Sequence, residues 1–400
     1  MQIFIIYKDI LMYQTDTYLP ILAEGLQHFA PIYVGSRKIM NPLPLDEQRV
    51  KVLNKGTMLG WIREAIFKYF GKAPFFLYSL KKSKPKFIHA HYGFGGVVAL
   101  PIKKKLKIPM VVTFHGHDAT ATDESGKQYF THRLYVRKRS ELQKQAVLFI
   151  AVSNFIKQKM IDQGYPEHKI ITHYLGIDVD LFQPDPSVIR EPIILFIGRL
   201  VENKGGEYLI RAMECVQQTH PEAKLIIIGD GELREELEKM AQQKIRNYQF
   251  LGMQTQEVIR EWLNKAKVLC VPSITIASGK SEGFGLVFIE ANAMGVPVVS
   301  FNTGGIAEAV EHEKTGYLLP EKDWLGLAKY INLLLNDENL WHQFSIQGIQ
   351  RVSQHFNMSL QKHKLENIYI QLMQSGEFTL NWNEGEVVPF AYHSNNDTSI

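Results

Sequence analysis

Two glutamates, Glu282 and Glu290, stand eight residues apart in the stretch SEGFGLVFIEANAMGVPVVS. Between them lie Gly283-Phe284-Gly285 and the apolar run Leu286-Val287-Phe288-Ile289; Thr303-Gly304-Gly305 follows the strand-like VPVVS. The order reads as loop, helix, buried strand and Gly-rich loop. Glycines let backbone N–H groups come close to a ligand. A helix opening near Gly285 offers free N–H groups and the positive end of its dipole to an anion. At 100° per residue, eight residues turn roughly 80° beyond two full turns, so the two carboxylates share a side of the helix only loosely. A phosphate at the helix start, with one carboxylate on each side, suits a charged, hydroxyl-rich ligand such as a nucleotide sugar.

Cations and histidines add to this set. PIILFIGRLVENKGG is a buried strand ending in Gly198-Arg199, with Lys204 in the loop that follows. An Arg can grip phosphate oxygens in a bidentate way and a Lys adds a point charge, so together they would neutralise a diphosphate. The plain alternative, a surface Arg199–Glu202 pair, is worth only ~0–1 kcal/mol and would not require this spacing. KFIHAHYGFGG brings His89 and His91 to one side of a strand near its C-terminal end, and IPMVVTFHGHDA delivers His115, His117 and Asp118 in the same way. Ligands of open α/β sheets bind outside those ends. A metal site is discounted, because no compact tetrahedral ligand set is evident; strand-end histidines also serve as hydrogen-bonded structural residues.

The elements that must position these groups alternate strand and helix through most of the chain. Four hundred residues, 45% hydrophobic and 22% charged, describe a globular protein of two domains. Two cysteines, Cys215 and Cys270, argue against a disulfide framework and for a reducing cytoplasm. MQIFIIYKDI is a first strand rather than a signal peptide, and no apolar run reaches the ~20 residues of a membrane span. Charge is uneven: residues 1–178 hold 26 Lys and Arg against 13 Asp and Glu, and residues 179–400 hold 19 against 28. A basic first half points to an anionic partner surface, or to lysines that merely solvate a face. Residues 20–30 are expected as an amphipathic helix and 31–34 as a second strand. In 50–84, rich in Trp, Phe and Tyr with interleaved lysines, the expectation is helices that pack their aromatics into the core; the alternative is a membrane-facing surface. A nucleic-acid partner is not expected, since no binding module surrounds the basic tracts. Gly229-Asp230-Gly231 lacks the third glycine of a dinucleotide fingerprint and reads as a tight strand-to-helix turn. Ser153 is placed as a helix N-cap. The polar loop 274–281 stands before Glu282 as a gate to the cleft.

The motif S-E-G-F-G-L-x₃-E-A-x-A-x-G-x-P-V-V resembles the E-x₇-E signature of the retaining glycosyltransferases of family 4. G-R-x₄-K at 198–204 and T-F-H-G-x-D at 113–118 match the same family, and the resemblance runs from residue 89 to about 375. It implies an α/β protein of the GT-B fold, two Rossmann-like domains facing across a cleft. The N-terminal, acceptor-side domain is expected over 1–183, joined by about 356–375 crossing back, and the nucleotide-sugar domain over 184–355. The tail, 376–400, is expected to be partly disordered. The family carries a Gly-Gly pair after its first strand; here that loop has no glycine, and Asp16-Thr17-Tyr18 resembles an acidic-Thr-aromatic variant.

What the resemblance implies for residues is specific. His115, Glu282, Arg199 and Lys204 carry the reaction. Asp118, His91, Gly198, Met253, Gly283, Phe284, Gly285, Leu286 and Glu290 complete the substrate site: Glu290 on the ribose, the loop at Met253 beside the base, and the N–H groups around 284–286 on the diphosphate. The reaction would be metal-independent transfer, with retention, from a nucleoside-diphosphate sugar (UDP- ahead of GDP-) to a glycan or lipid-linked saccharide, as in exopolysaccharide or capsule synthesis. From its cysteines and its basic, aromatic stretches the protein is expected in the cytoplasm, with peripheral association at the inner membrane face as the open alternative. A nucleotide-sugar 2-epimerase on the same fold, or a non-catalytic nucleotide-sugar binder, are the competing readings; the donor sugar, acceptor, linkage and oligomeric state leave no mark in the sequence.

Overall fold

The structure, a computed structural model, describes residues 1–11, 18–39, 46–127 and 129–375. The Asp16-Thr17-Tyr18 motif and the 376–400 tail fall wholly or largely outside these residues. Among the described residues the chain builds two parallel sheets. The first has eight strands: β1 (Gln2–Tyr7), β2 (Ile10–Leu11), β3 (Phe29–Lys38), β4 (Val50–Asn54), β5 (Ile88–His91), β6 (Met110–Phe114), β7 (Leu148–Ala151) and β8 (Ile170–Thr172). Their order is β2-β3-β1-β5-β6-β7-β8, with β4 on β3. The second has six: β9 (Ile193–Ile197), β10 (Lys224–Ile228), β11 (Tyr248–Gly252), β12 (Val268–Cys270), β13 (Val298–Phe301) and β14 (Gly316–Leu319), ordered β11-β10-β9-β12-β13-β14.

Helices cover both faces of a parallel sheet, so its central strands must be apolar on both sides. MVVTF in β6, IILFI in β9 and VVSF in β13 are buried at every position. In each sheet the strand order reverses at one strand, β1 between β3 and β5, and β9 between β10 and β12. Such switch points open a crevice at the strands' C-terminal ends, where ligands bind. Register keeps the chemistry aligned there: His91 lies opposite Thr113, one residue before the turn that carries His115.

The last helix, Met358–Ser375, returns to the first sheet. Its Tyr369 packs against Phe4, Phe29 and Phe87, with ring centroids 5.3, 5.6 and 4.7 Å away. Glu366 Oε1 accepts the His28 backbone N–H at 2.7 Å.

Two expectations need correction. The helix expected over 20–30 spans only Tyr18–Ala23, and β3 begins at Phe29, before 31. Gly25, at φ +81°, turns the chain out of the helix, and Phe29 must pair with Gln2. The aromatics of 58–78 are also not core residues for the most part. Trp61, Tyr69, Phe70, Phe75 and Tyr78 are exposed, while Phe67, Leu77 and Leu80 turn inward. The inward side of helix Met58–Phe70 is already occupied by Glu64 and Lys68, which pair with each other, Lys68 also reaching Asp9.

Candidate active site

The two sheets meet at their C-terminal ends, and the contact is close. A Cβ on Gly283 would lie 2.5 Å from the His115 carbonyl oxygen and 3.0 Å from Gly116 Cα, so only glycine lets the Glu282-Gly283 loop pass this near the first domain. Ser153 caps the helix Asn154–Asp162 by accepting from Ile156 N at 3.1 Å, as its sequence position indicates. Its hydroxyl also donates across the cleft to Gly283 O at 2.6 Å. Glu308 reaches the same helix start from the second domain, accepting Asn154 N at 2.7 Å, Phe155 N at 2.9 Å and the Tyr174 hydroxyl at 2.9 Å. The 274–281 loop joins this seam, since Thr122 N donates to Ser278 O at 3.0 Å.

On the second domain, Gly285 takes φ +86° and the helix Leu286–Ala293 opens behind it with no side-chain cap. The first-turn N–H groups of an uncapped helix have no partner within it and favour an anion. Glu282 stands just before this helix in an ion pair with Lys204. The Gly305 N–H holds the Glu282 carbonyl at 2.9 Å and so braces the loop against the Thr303-Gly304-Gly305 turn. Arg199, after β9, is exposed to the cleft and does not pair with Glu202 among the described residues. Lys280 completes the group: its ammonium pKa is lowered by burial and by the charges of Arg199 and Lys204. Glu232 and Glu282 act in the opposite direction, so three cations and two carboxylates lie within electrostatic reach of one another. Lys280 was not singled out from the sequence, where it is one lysine in a polar loop; its position two residues before Glu282 was the available signal.

Glu290 lies within the helix, where burial pushes its carboxyl up to about 7. Met253 is exposed on the loop after Gly252, beyond the end of β11. Gly198 ends β9, where its N–H donates to Ile228 O at 3.0 Å. Phe284 is buried against Tyr174, at 5.5 Å between ring centroids, and Leu286 begins the helix.

On the first domain, His89, His91 and His115 form a stack, with centroids 4.4 and 5.2 Å apart. His89 bonds Tyr369 Oη at 2.5 Å and Thr113 Oγ1 at 2.6 Å, which uses both its nitrogens. His91 Nδ1 lies 3.0 Å from His115 Nε2. Burial, then the neighbouring His89 and Lys8, hold His115 down to about 3, so it is a neutral imidazole at pH 7. His91 is buried behind it and fixes its ring. Asp118 accepts the N–H groups of Gly93 (2.9 Å), His115 (3.1 Å) and Gly116 (3.0 Å). Burial raises its carboxyl to about 6 against those bonds. Asp118 therefore shapes the His115 turn from within. His117, at the surface of the turn, has its pKa lowered by partial desolvation, then by Lys280, His132 and Arg199, which puts it beside the cation group.

Two Rossmann-like sheets meeting in this way are also found in the HepE protein of Anabaena, solved in complex with UDP. The TM-score is 0.72 over 93% of this chain and 100% of that one, at 21% identity. At that identity the likeness establishes the architecture, the two-domain GT-B fold of glycosyltransferases. Residues 37–181 match the model described as Glycosyltransferase Family 4, and residues 181–351 the model described as Glycosyl transferases group 1. The amylovoran biosynthesis glycosyltransferase AmsK of Erwinia amylovora is 30% identical over 291 residues, 70% of this chain and 69% of AmsK. The putative colanic acid biosynthesis glycosyltransferase WcaL of Escherichia coli K12 is 29% identical over 248 residues, 60% of this chain and 59% of WcaL. The chain belongs to glycosyltransferase family 4 and is a retaining glycosyltransferase.

Proposed function

We propose that this enzyme transfers a sugar from a UDP-linked donor to a lipid-linked saccharide during synthesis of an exopolysaccharide or other surface glycan. The observation that carries the donor half is the gathering of Arg199, Lys204 and Lys280 with an uncapped helix N-terminus beside Glu282. Three cations against two carboxylates, Glu232 and Glu282, with a helix N-terminus beside them, leave a positive site that suits a diphosphate. The names of AmsK and WcaL support the polysaccharide context, and the UDP bound to HepE supports the base.

In this reading the donor lies on the second domain. Lys204, Arg199, Lys280 and the N–H groups at 284–286 hold the diphosphate. Glu290 accepts from the ribose hydroxyls, the loop at Met253 lies along the base, and Glu282 orients the transferred sugar. The anomeric C–O bond breaks with its electron pair going to the β-phosphate oxygen. The acceptor hydroxyl forms the new C–O bond on the same face and passes its proton to the departing phosphate. Charge grows on that phosphate in the transition state, where preorganised cations act most strongly. His115, neutral and held by His91, faces the sugar from the first domain as a hydrogen-bonding group rather than a second cation.

Thermal-shift titration with UDP, GDP, ADP and their common sugars tests the donor. A ligand at 100 times its Kd stabilises by ~2.7 kcal/mol. Stabilisation by uridine nucleotides ahead of the others is expected; preference for GDP would overturn the choice of base. Product NMR with a lipid-linked acceptor then reads the anomeric configuration and the acceptor class.

A further inference from the structure

Helix Met58–Phe70 is built inside out for a protein in water. Plotted at 100° per residue, Trp61, Ala65, Met58, Tyr69, Ile62, Ile66, Leu59 and Phe70 fill an arc of roughly 180°. All of them are exposed, Trp61 by 50%, Ile62 by 52% and Phe70 by 72%. Arg63 is the one exposed charge on the helix and lies at the edge of that arc. The buried side carries the ionic groups instead. Lys68 Nζ contacts Asp9 Oδ2 at 2.8 Å and Glu64 Oε1 at 2.7 Å, and Asn54 Nδ2 donates to Glu64 Oε2 at 2.9 Å. Helix Pro74–Lys82 extends the apolar face with Phe75, 89% exposed, and Tyr78, 71% exposed.

Around this face the charge is mostly positive. Residues 51–86 hold nine Lys and Arg and a single acid, Glu64, which is buried. Lys55, Arg63, Lys72, Lys81, Lys82, Lys84 and Lys86 are all exposed. At the foot of the helix a groove of about 440 Å³ is lined by Tyr69, Phe70 and Leu77 together with Lys104, Lys105 and Lys138, and by one acid, Glu141, which pairs with Lys104. Large aromatic and aliphatic side chains turned to solvent and ringed by lysines match an interface of acyl chains under anionic headgroups. No described helix is long and apolar enough to cross a membrane.

We infer that the outward face of helices Met58–Phe70 and Pro74–Lys82 is a membrane-docking surface that inserts into the headgroup region of a bilayer containing anionic lipid. The occupant is argued from charge complementarity: a protein partner of ordinary composition has no reason to match seven exposed cations with an apolar centre, whereas an anionic bilayer matches both. The surface also has a fixed relation to the cleft. Lys68 anchors the helix to Asp9, just past the C-terminal end of β1, at the same end of the sheet that carries His91 and His115. Docking would therefore hold the acceptor side of the cleft near the lipid surface. That last link rests on the lipid-linked acceptor proposed above; the docking surface itself does not.

The test is co-sedimentation of the full chain with phosphatidylcholine vesicles, with and without phosphatidylglycerol. Binding is expected to the anionic vesicles, weakening as salt rises. The variant I62S/F70S/F75S changes only exposed side chains and should lower partitioning at least about tenfold, with its thermal midpoint unchanged. K81E/K82E should reduce binding at low salt and differ little from the native chain at high salt. Absence of vesicle binding by the native chain, or equal binding by the apolar variant, would overturn the inference. So would a concentration-dependent dimer, seen in sedimentation velocity and abolished by I62S/F70S/F75S without vesicle binding, since it would give the face to a second copy. Donor hydrolysis without vesicles reads the catalytic proposal separately.

Discussion

Replacing Lys204 with alanine should separate a cost in stability from a cost in catalysis. The ammonium is paired with Glu282, and the two side chains are 15% and 14% exposed. A pair this shielded lies between an exposed one, worth ~0–1 kcal/mol, and a buried one, whose disruption costs ~3–5 kcal/mol. Lys280 remains near enough to act on Glu282. The loss of stability should therefore stay near ~1–2 kcal/mol and leave the fold intact. The catalytic loss should be larger. A preorganised donor at a developing anion is typically worth ~3–4 kcal/mol, or about 10²–10³ in kcat. With Arg199 and Lys280 still in place, about 10² is expected. The assay is initial-rate release of the nucleotide diphosphate over a range of donor concentrations, beside a urea melt of each variant. Lys204→Arg keeps the charge and should recover most of kcat if charge at the leaving group is what matters. Turnover of Lys204→Ala within threefold of native, or a stability loss large enough to explain the rate by unfolding, would refute the reasoning.

Glu282→Gln should leave donor affinity near native in isothermal titration and abolish most turnover; lost affinity with native turnover of bound donor would contradict an orienting role. Glu308→Ala removes an acceptor for two backbone N–H groups and one hydroxyl across the domain seam, and should cost ~1.5–3 kcal/mol, read as a lower or split thermal transition. Stability should fall as pH drops from 6 to 5. Burial keeps His89 and His115 neutral down to about 3 and His173 to about 4, and it lowers His91 well below 6.5. The unfolded chain takes up protons on these four imidazoles in that range. Burial raises Asp118 to about 6 and Glu290 to about 7, so the native state takes up protons on two carboxyls over the same range. Near pH 5.5 the unfolded chain thus holds about two more protons than the native state, a loss of roughly 2–3 kcal/mol per pH unit, and urea midpoints that stay level or rise over this interval would contradict it.

The sequence by itself determined the strands, the family and most of the chemical groups. Continuous apolar runs such as IILFI suit strands buried on both faces, as in a parallel sheet, and G-R-x₄-K and E-x₇-E fix which loops carry charge, because these are local properties. Tertiary structure decided the rest. Lys280 joins Arg199 and Lys204 only once β9 and β12 are neighbours. Glu308 caps a helix 154 residues before it in the chain, across the domain boundary, a pairing that no local pattern marks. The sharpest difference lies in helix Met58–Phe70. Its composition permits either face to turn inward, and only the fold brings Asp9, distant in sequence, to Lys68, whose ammonium also holds Glu64, so the ionic side turns in and the aromatics stay outside.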